Sequence, residues 1–318
     1  MDQRKSVGML SKGFLYRQRL GYGLGDFACN LIWQVISLYL LYFYTDVVHL
    51  GAKSIAVMFM ICRVIDAITD VLVGFAIDKT KTRWGKSRPW FLFGAVPFAV
   101  AAFLAFSVPD ISPDGKLLYA YATYIFLSFM YTVVNIPLAS ILPTLTDDMN
   151  ERTVLATWRK FLAFLGSSIV SATALTLVQV TGRGNEALGF RIVMGMFGIV
   201  GCVCFFLTFF LVRENNLQEN IKSATLKEMI MSLGKNTPWK VFAINIMFMW
   251  TGYFLQSSAL VYYYKYYIGS TSMASMVATI MTVIPMAANL TVAFLAKRLG
   301  KRNLYSGAAL IQLAGLVV

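Results

Sequence analysis

The segment RVIDAITD, residues 63–70, places three charged side chains inside an apolar run that extends from Ile55 to Ile77. Arg63, Asp66 and Asp70 are spaced by three and four residues, so on a helix they share one face. An ionised carboxylate at the centre of a bilayer costs at least about 2.5–3.5 kcal/mol. Two of them on one face therefore indicate a ligand or a partner that compensates their charge.

Two kinds of compensation fit this pattern. An ion pair between Arg63 and Asp66 holds helices together, but it accounts for one carboxylate and leaves Asp70 without a role. A cation site uses both carboxylates, because their mutual repulsion raises the affinity of the pair for a proton or a metal cation. The hydroxyl of Thr69 adds an oxygen, and oxygen ligands suit a hard ion such as sodium. We therefore predict a coupling-cation site here.

Asp26 is the other acidic residue well inside an apolar run. It follows GYGLG, whose alternating glycines permit close approach of a neighbouring helix. A carboxylate that faces a water-filled cavity is a good acceptor for paired sugar hydroxyls. The alternative is a charge that extends to the lipid headgroups, because Asp26 lies about two turns from the predicted start of its helix.

A third polar group lies in the fourth apolar run, in the segment YTVVNIP. Tyr131 and Asn135 share one helical face, and Thr132 is adjacent to it. Pro137 has no amide hydrogen, which leaves the carbonyl of Val133 without its helical donor. These groups can bind a sugar or an ion, and they equally suit polar contacts between helices.

The connection GFAIDKTKTRWGKSRP, residues 74–89, combines one carboxylate with a basic cluster. Asp78 at the end of a helix can bind neighbouring basic side chains or a helix N-terminus. A contact of this kind forms in one conformer and breaks in the other, so we assign a conformational or structural role to Asp78, Arg83, Gly85 and Lys86, and also to Arg63. Simple anchoring by positive charge is the alternative.

The composition is that of a polytopic membrane protein. Of the 318 residues 58% are hydrophobic and 14% are charged, with a mean hydropathy of +0.65. The net charge of +13 comes from short basic clusters between apolar runs, which argues against nucleic-acid binding. The four cysteines lie in apolar segments without metal-ligand spacing, so we expect no metal beyond the coupling ion and no cofactor. No nucleophile elbow or histidine motif indicates an enzyme.

The apolar pattern predicts membrane-spanning helices at about 20–44, 55–77, 89–108, 117–142, 154–180, 190–212, 240–263, 272–295 and 303–318. Basic residues concentrate before the first span and in alternate connections. Because such connections are cytoplasmic, we expect a cytoplasmic N-terminus.

Two features repeat along the chain at a distance of six spans. LYFYTDVVHLG, which ends the first span, resembles VYYYKYYIG at the end of the seventh, and Gly85 corresponds to Gly300. This repetition predicts two six-helix halves of the major facilitator fold. We expect an N-terminal half at 1–212, a cytoplasmic linker at 213–239 and an incomplete C-terminal half at 240–318. About three helices are expected to be missing, as in a truncated chain.

These segments together resemble one family, the glycoside–pentoside–hexuronide:cation symporters. The resemblance covers residues 20–302, and RxxDAxxD and RWGKxRPW are its most specific motifs. It implies that Asp66 and Asp70 are the cation-binding aspartates and that Thr132 is a threonine ligand of the cation. Thr69 replaces an asparagine that helps to hold sodium, which leaves sodium and proton coupling open.

The resemblance also implies a sugar site with Asp26 as the binding aspartate and Arg159 as the binding arginine. From its position alone, Arg159 could instead extend to the headgroups. Asn135 replaces a second sugar-binding aspartate, Gly25 a lysine and Ala139 a tryptophan that stacks on galactose. These departures disfavour an α-galactoside and favour a pentoside, a glucuronide or another glycoside.

We therefore expect a monomeric sugar symporter of the bacterial inner membrane, coupled to Na+ or H+ and surrounded by lipids. Its predicted substrate contacts are Asp26, Asn135, Arg159 and Tyr131. The alternatives are the same fold with another solute, such as a lysolipid, or a truncated chain that transports nothing.

Overall fold

The computed structural model describes residues 12–214, 226–262, 267–268 and 271–317, and the regular elements in these ranges are helices. The helices are α1 (Lys12–Tyr42, continued by a π-helical turn, Phe43–Val47), α2 (Ala52–Lys79), α3 (Arg88–Ala105), α4 (Pro113–Ser140), α5 (Leu142–Leu145), α6 (Met149–Gly182), α7 (Glu186–Leu211), α8 (Leu226–Lys235), α9 (Thr237–Tyr262), α10 (Thr271–Leu299) and α11 (Lys301–Val317).

The chain divides into two compact units. The first contains Met1–Glu219 and Asn289–Val318, and the second contains Asn220–Ala288. Helices α1–α7 all belong to the first unit. The predicted half boundaries at residues 212 and 239 stay a prediction.

Five helices of the described part, α1, α3, α4, α6 and α7, are long and apolar enough to cross a membrane. Helix α2 has 28 residues. At about 1.5 Å per residue it also exceeds a hydrocarbon core of roughly 30 Å. Three charged residues, Arg63, Asp66 and Asp70, lie in its middle.

Each predicted span overlaps one of the long helices, but several helix ends differ from the predicted ends. Helix α1 begins at Lys12, eight positions before the predicted start, and α6 begins at Met149, five positions early. The side chain of Asp148 caps α6 by accepting a hydrogen bond from the amide of Asn150 at 2.8 Å. The short helices α5 and α8 were not predicted.

The two glycines that the predicted internal repeat matches have the same backbone conformation, and the repeat itself stays a prediction. Gly85 has φ of +107° and Gly300 has φ of +78°, so both matched glycines adopt the left-handed conformation. The second tyrosine-rich segment lies outside the described residues at 263–266 and 269–270.

Helix α1 is the central element of the N-terminal bundle and packs along α6 and α7. A Cβ on Gly23 would lie 2.4 Å from Leu162 Cδ1 and 3.1 Å from the carbonyl oxygen of Trp158. The close approach predicted from GYGLG is therefore confirmed, and it brings the middle of α1 directly against α6.

The connection from α2 to α3 is held at what we call the basic end of the bundle, where α2 ends and α3 begins. Glu214, just after α7, accepts hydrogen bonds from the backbone amides of Lys86 at 2.9 Å, Ser87 at 2.8 Å and Arg88 at 2.9 Å. We call this arrangement the Glu214 clamp. It neutralises the positive end of the α3 dipole and satisfies three amides that have no helical partner.

The basic residues of this connection have different surroundings. The Arg88 guanidinium donates to the carbonyl of Phe209 at 2.7 Å, which adds a second contact with α7. Arg83 lies over the ring of Trp84, 4.7 Å from its centroid. A Cβ on Gly85 would lie 2.5 Å from Glu214 Cδ, so this position accepts only glycine while the clamp is formed. Asp78 is exposed and forms no ion pair with a described residue.

We expect Glu214→Gln to lower the free energy of unfolding by about 1–3 kcal/mol, because an NH2 group replaces one of the two accepting oxygens and the negative charge at the α3 N-terminus is lost. Thermal unfolding of the purified protein in detergent measures the change. Asp147→Asn is the matched control, since the side chain of Asp147 is 68% exposed and its ion pair with Arg152 is long, at 3.8 Å. An exposed pair of this kind contributes about 0–1 kcal/mol. Equal losses in the two variants would contradict a structural role for the clamp.

Candidate functional site

Two carboxylates on α2 face two hydroxyls on α4. Ser128 donates a short hydrogen bond to Asp66 Oδ1, and Thr132 Oγ1 donates to Asp70 Oδ1 at 2.9 Å. Both pairs are separated by 62 residues and lie one helical turn apart, so α2 and α4 run side by side in register. We call these four residues the α2–α4 ladder. Asp66 is the fifteenth of the 28 residues of α2, which places the ladder at mid-helix.

Arg63 contacts this ladder at its edge. Its guanidinium lies 3.4 Å from Asp66 Oδ2, and its side chain is 61% exposed. The predicted ion pair therefore exists, but it is long and solvent- or lipid-facing on the arginine side. Asp66 has Ser128 as a second partner. The hydrogen bond to Asp70 comes from Thr132 and not from Arg63.

Thr69 lies between the two aspartates in sequence, and its hydroxyl faces its own helix. It donates to the carbonyl oxygen of Ile65 at 3.0 Å, with the carbonyl oxygen of Asp66 at 3.1 Å. The ladder thus has its hydroxyl oxygens from Ser128 and Thr132. The role of Thr69 as a cation ligand stays a prediction.

A second polar cluster joins α1 to α6. Arg159 Nε lies 2.9 Å from Asp26 Oδ2, and its terminal nitrogen donates to the hydroxyl of Tyr22 at 3.2 Å. The side chains of the pair are 18% and 6% exposed, so neither extends to the headgroups. We call Asp26, Arg159 and Tyr22 the α1–α6 cluster. A carboxylate, a guanidinium and a phenol provide hydrogen-bond donors and acceptors in one place.

Two asparagines, Asn30 on α1 and Asn135 on α4, add amide groups to the described bundle. Asn30, one turn after Asp26, donates to the Asp26 backbone carbonyl at 2.8 Å and accepts from Ser167 at 3.4 Å. Asn135 on α4 is partly buried, and its amide has no hydrogen-bond partner among the described residues. An unused amide can bind a ligand that presents both donors and acceptors.

The aromatic rings of Trp33 and Tyr131 connect α1 with α4. Their centroids are 4.3 Å apart and their planes are inclined by 24°, which is a stacked arrangement. The guanidinium of Arg63 lies 5.9 Å from the centre of the Trp33 ring. The stack is thus between the α2–α4 ladder and the face of α1 that carries Asp26.

The aspartates, Thr132 and Tyr131 were predicted from the sequence as site residues, but three of their neighbours were not. Ser128 precedes Thr132 by four residues, the same spacing as Asp66 and Asp70, so matching these intervals would have identified it. Tyr22 precedes Asp26 by four residues on the same face of α1. No sequence pattern identifies Trp33, because its contacts depend on how α1, α2 and α4 pack together.

Comparison with known proteins gives consistent results. The family described as MFS/sugar transport protein matches residues 21–318. An isoprimeverose transporter of Lactiplantibacillus pentosus is 37% identical over 95% of the chain, and a glucuronide carrier protein homolog of Escherichia coli is 31% identical over 95%. An inner membrane symporter of Escherichia coli is 33% identical over 82%. The alignments cover 64%, 66% and 57% of these relatives, so the chain spans less than two thirds of their length.

A solved structure has the same fold. The proton:xylose symporter XylE, a major facilitator superfamily protein bound to 6-bromo-6-deoxy-D-glucose, aligns with a TM-score of 0.62 at 14% identity, over 89% of this chain and 69% of that one. The predicted fold is therefore confirmed as the all-helical major facilitator fold of an integral membrane protein. With the family match over residues 21–318, the chain belongs to the MFS/sugar transport protein family, whose members are transporters and not enzymes.

Proposed function

We propose that the protein is a secondary active transporter that carries a glycoside together with a cation by alternating access. The α2–α4 ladder is the observation that carries this proposal. It holds two carboxylates at mid-helix, and compensation there comes from two hydroxyls and a long ion pair. An ionised carboxylate pair is costly inside a membrane unless a cation binds to it during the transport cycle.

The cation is Na+ or H+, bound by the carboxylates of Asp66 and Asp70. The hydroxyl oxygens of Ser128 and Thr132 lie against these carboxylates and provide two more oxygen ligands. An oxygen-only set suits a hard ion, and a carboxylate pair also suits a proton. Thr69 remains a candidate ligand from the sequence.

The glycoside binds at the α1–α6 cluster together with Asn135 and Tyr131. Asp26 accepts hydrogen bonds from sugar hydroxyls and Arg159 donates them, while the free amide of Asn135 does both. The relatives named for isoprimeverose and for glucuronides support a glycoside, a pentoside or a hexuronide as the substrate class.

The protein lies in the bacterial inner membrane with its basic end in the cytoplasm. The basic side chains of the α2–α3 connection support this orientation, as does a relative named an inner membrane symporter. Arg63, Asp78, Arg83, Gly85 and Lys86 are assigned to the conformational change rather than to substrate contact.

Asp70→Asn is expected to abolish cation-driven uptake, because it removes one of the two charges that the cation neutralises. Uptake into proteoliposomes is measured with an imposed Na+ gradient and, separately, with a pH gradient. Asp46→Asn is the matched control. Asp46 is an exposed aspartate in the π-helical turn that continues α1, and it is not part of the α2–α4 ladder. Uptake by Asp70→Asn that keeps its gradient dependence would show that the cation assignment is wrong.

A counterflow panel identifies the transported class. Isoprimeverose, a glucuronide and a xyloside are compared with a lysophospholipid as the internal solute. We expect exchange with at least one glycoside and none with the lysolipid, because the α1–α6 cluster offers charged hydrogen-bonding groups. Exchange confined to the lysolipid would replace the sugar proposal by lipid transport.

Asp26→Asn is expected to abolish glycoside binding and also to lower the free energy of unfolding by about 3–5 kcal/mol, because it leaves the Arg159 charge buried without its partner. Arg159→Gln in the same chain removes that unpaired charge. The double variant should regain stability but not binding, as measured by thermal unfolding and by titration calorimetry. Binding that returns with stability would show that the pair is structural.

A further inference from the structure

The proposed cation ligands and the charged glycoside ligands, Asp26 and Arg159, lie on different helices and need a physical connection. The ladder is formed by α2 and α4, whereas the cluster of Asp26, Arg159 and Tyr22 is formed by α1 and α6. Symport requires that occupancy of one site changes the affinity of the other. A contact that couples these groups therefore joins α1 or α6 to α2 or α4.

The stack of Trp33 on Tyr131 is such a contact. Tyr131 precedes the ladder residue Thr132 directly and lies one turn before Asn135 on α4. Trp33 follows Asp26 by seven residues, two turns along α1 on the same face. The two rings, 4.3 Å apart, thus link the helix that carries the ladder hydroxyls to the helix that carries Asp26.

Arg63 links the same tryptophan to the second ladder helix. Its guanidinium is 3.4 Å from Asp66 Oδ2 on one side and 5.9 Å from the centre of the Trp33 ring on the other. Its side chain is 61% exposed, so it is free to change position. The Asp66 carboxylate and the Trp33 ring therefore compete for Arg63, which also interacts with the hydroxyl of Tyr124 on α4.

A bound cation changes the balance between these partners. With Asp66 ionised, the carboxylate attracts Arg63 and acts against its contact with Trp33. When a cation neutralises the ladder this attraction falls, and the cation–π contact with Trp33 becomes the stronger one. Arg63 then holds the indole ring in place against Tyr131.

We propose that Trp33 is the positioning residue that transmits cation occupancy from the α2–α4 ladder to the glycoside site. The proposal rests on the cation:glycoside symport proposed above. Trp33 acts through Arg63 on one side and through Tyr131 on the other, and the ordered pair of rings presents a flat surface beside Asn135 for the apolar face of a sugar ring. Because coupling is reciprocal, a glycoside that orders the same stack raises the affinity for the cation by the same factor.

The test compares glycoside affinity with and without the cation in Trp33→Leu. The purified full chain in nanodiscs is titrated with the panel glycoside that exchanges fastest, starting with isoprimeverose, in NaCl and in choline chloride and at low and high pH. The wild type is expected to bind more tightly with its cation by a factor within the usual range for coupled sites, roughly 5- to 150-fold. In Trp33→Leu this ratio should fall to about one.

Two further variants separate coupling from plain loss of a ring. Trp33→Phe keeps a stacking ring but weakens the cation–π contact, so its ratio should be intermediate, and it carries the test if the leucine variant does not fold. Trp90→Leu is the matched control. Its indole donates to Thr80 at 3.3 Å and its ring packs against the cluster of Val73, Ile77 and Val133 between α2 and α4. This variant therefore loosens α2–α4 packing without touching the stack, and its ratio should equal that of the wild type.

Each result decides between the proposals. A Trp33 variant that binds the glycoside more weakly but keeps the wild-type ratio shows that Trp33 is only a sugar contact, and it overturns the coupling role alone. A wild-type protein without any cation effect on glycoside binding overturns the symport proposal as well. A ratio that falls in Trp90→Leu as much as in Trp33→Leu attributes the effect to general loosening and also overturns the coupling role.

Discussion

An ionised side chain in the hydrocarbon region has to be compensated, and this requirement explains the partners of Asp26, Asp66 and Asp70. Asp26 is compensated by Arg159 from α6, Asp70 by a hydroxyl of α4, and Asp66 by both a hydroxyl and a guanidinium. The degree of compensation differs. Asp26 has a full opposite charge at 2.9 Å, whereas Asp70 has only a neutral donor. The aspartate with the weakest compensation, Asp70, is one of the two that we propose as cation ligands.

The packing of α1 depends on the same requirement. Arg159 reaches Asp26 because α1 and α6 approach closely at Gly23, where a side chain would collide with Leu162. The stack of Trp33 on Tyr131 then connects α1 with α4, which makes few other contacts with it. Helix α1 therefore carries both the glycine that permits close packing on α6 and the aspartate whose charge Arg159 compensates.

Much of the candidate site could be predicted from the sequence, because charged residues are rare in apolar runs and helical spacing fixes their common face. Asp66, Asp70 and Asp26 were identified in this way. Ser128, Trp33 and Glu214 were not, since their partners lie 62 residues or more away in the chain or depend on the tilt of three helices. Small polar and aromatic residues are also common in membrane helices for other reasons, so their type alone carries little information. The family resemblance supplied Arg159, which its position near a helix end did not.

The Glu214 clamp separates two functions that the basic α2–α3 connection has to combine. Glu214 binds the backbone amide of Lys86 and leaves the lysine side chain uninvolved in this contact. Fixing the start of α3 thus requires no particular side chain at this position, apart from a glycine at 85. A substitution of Lys86 can therefore change the charge of this connection without removing any of the three backbone hydrogen bonds that fix the start of α3.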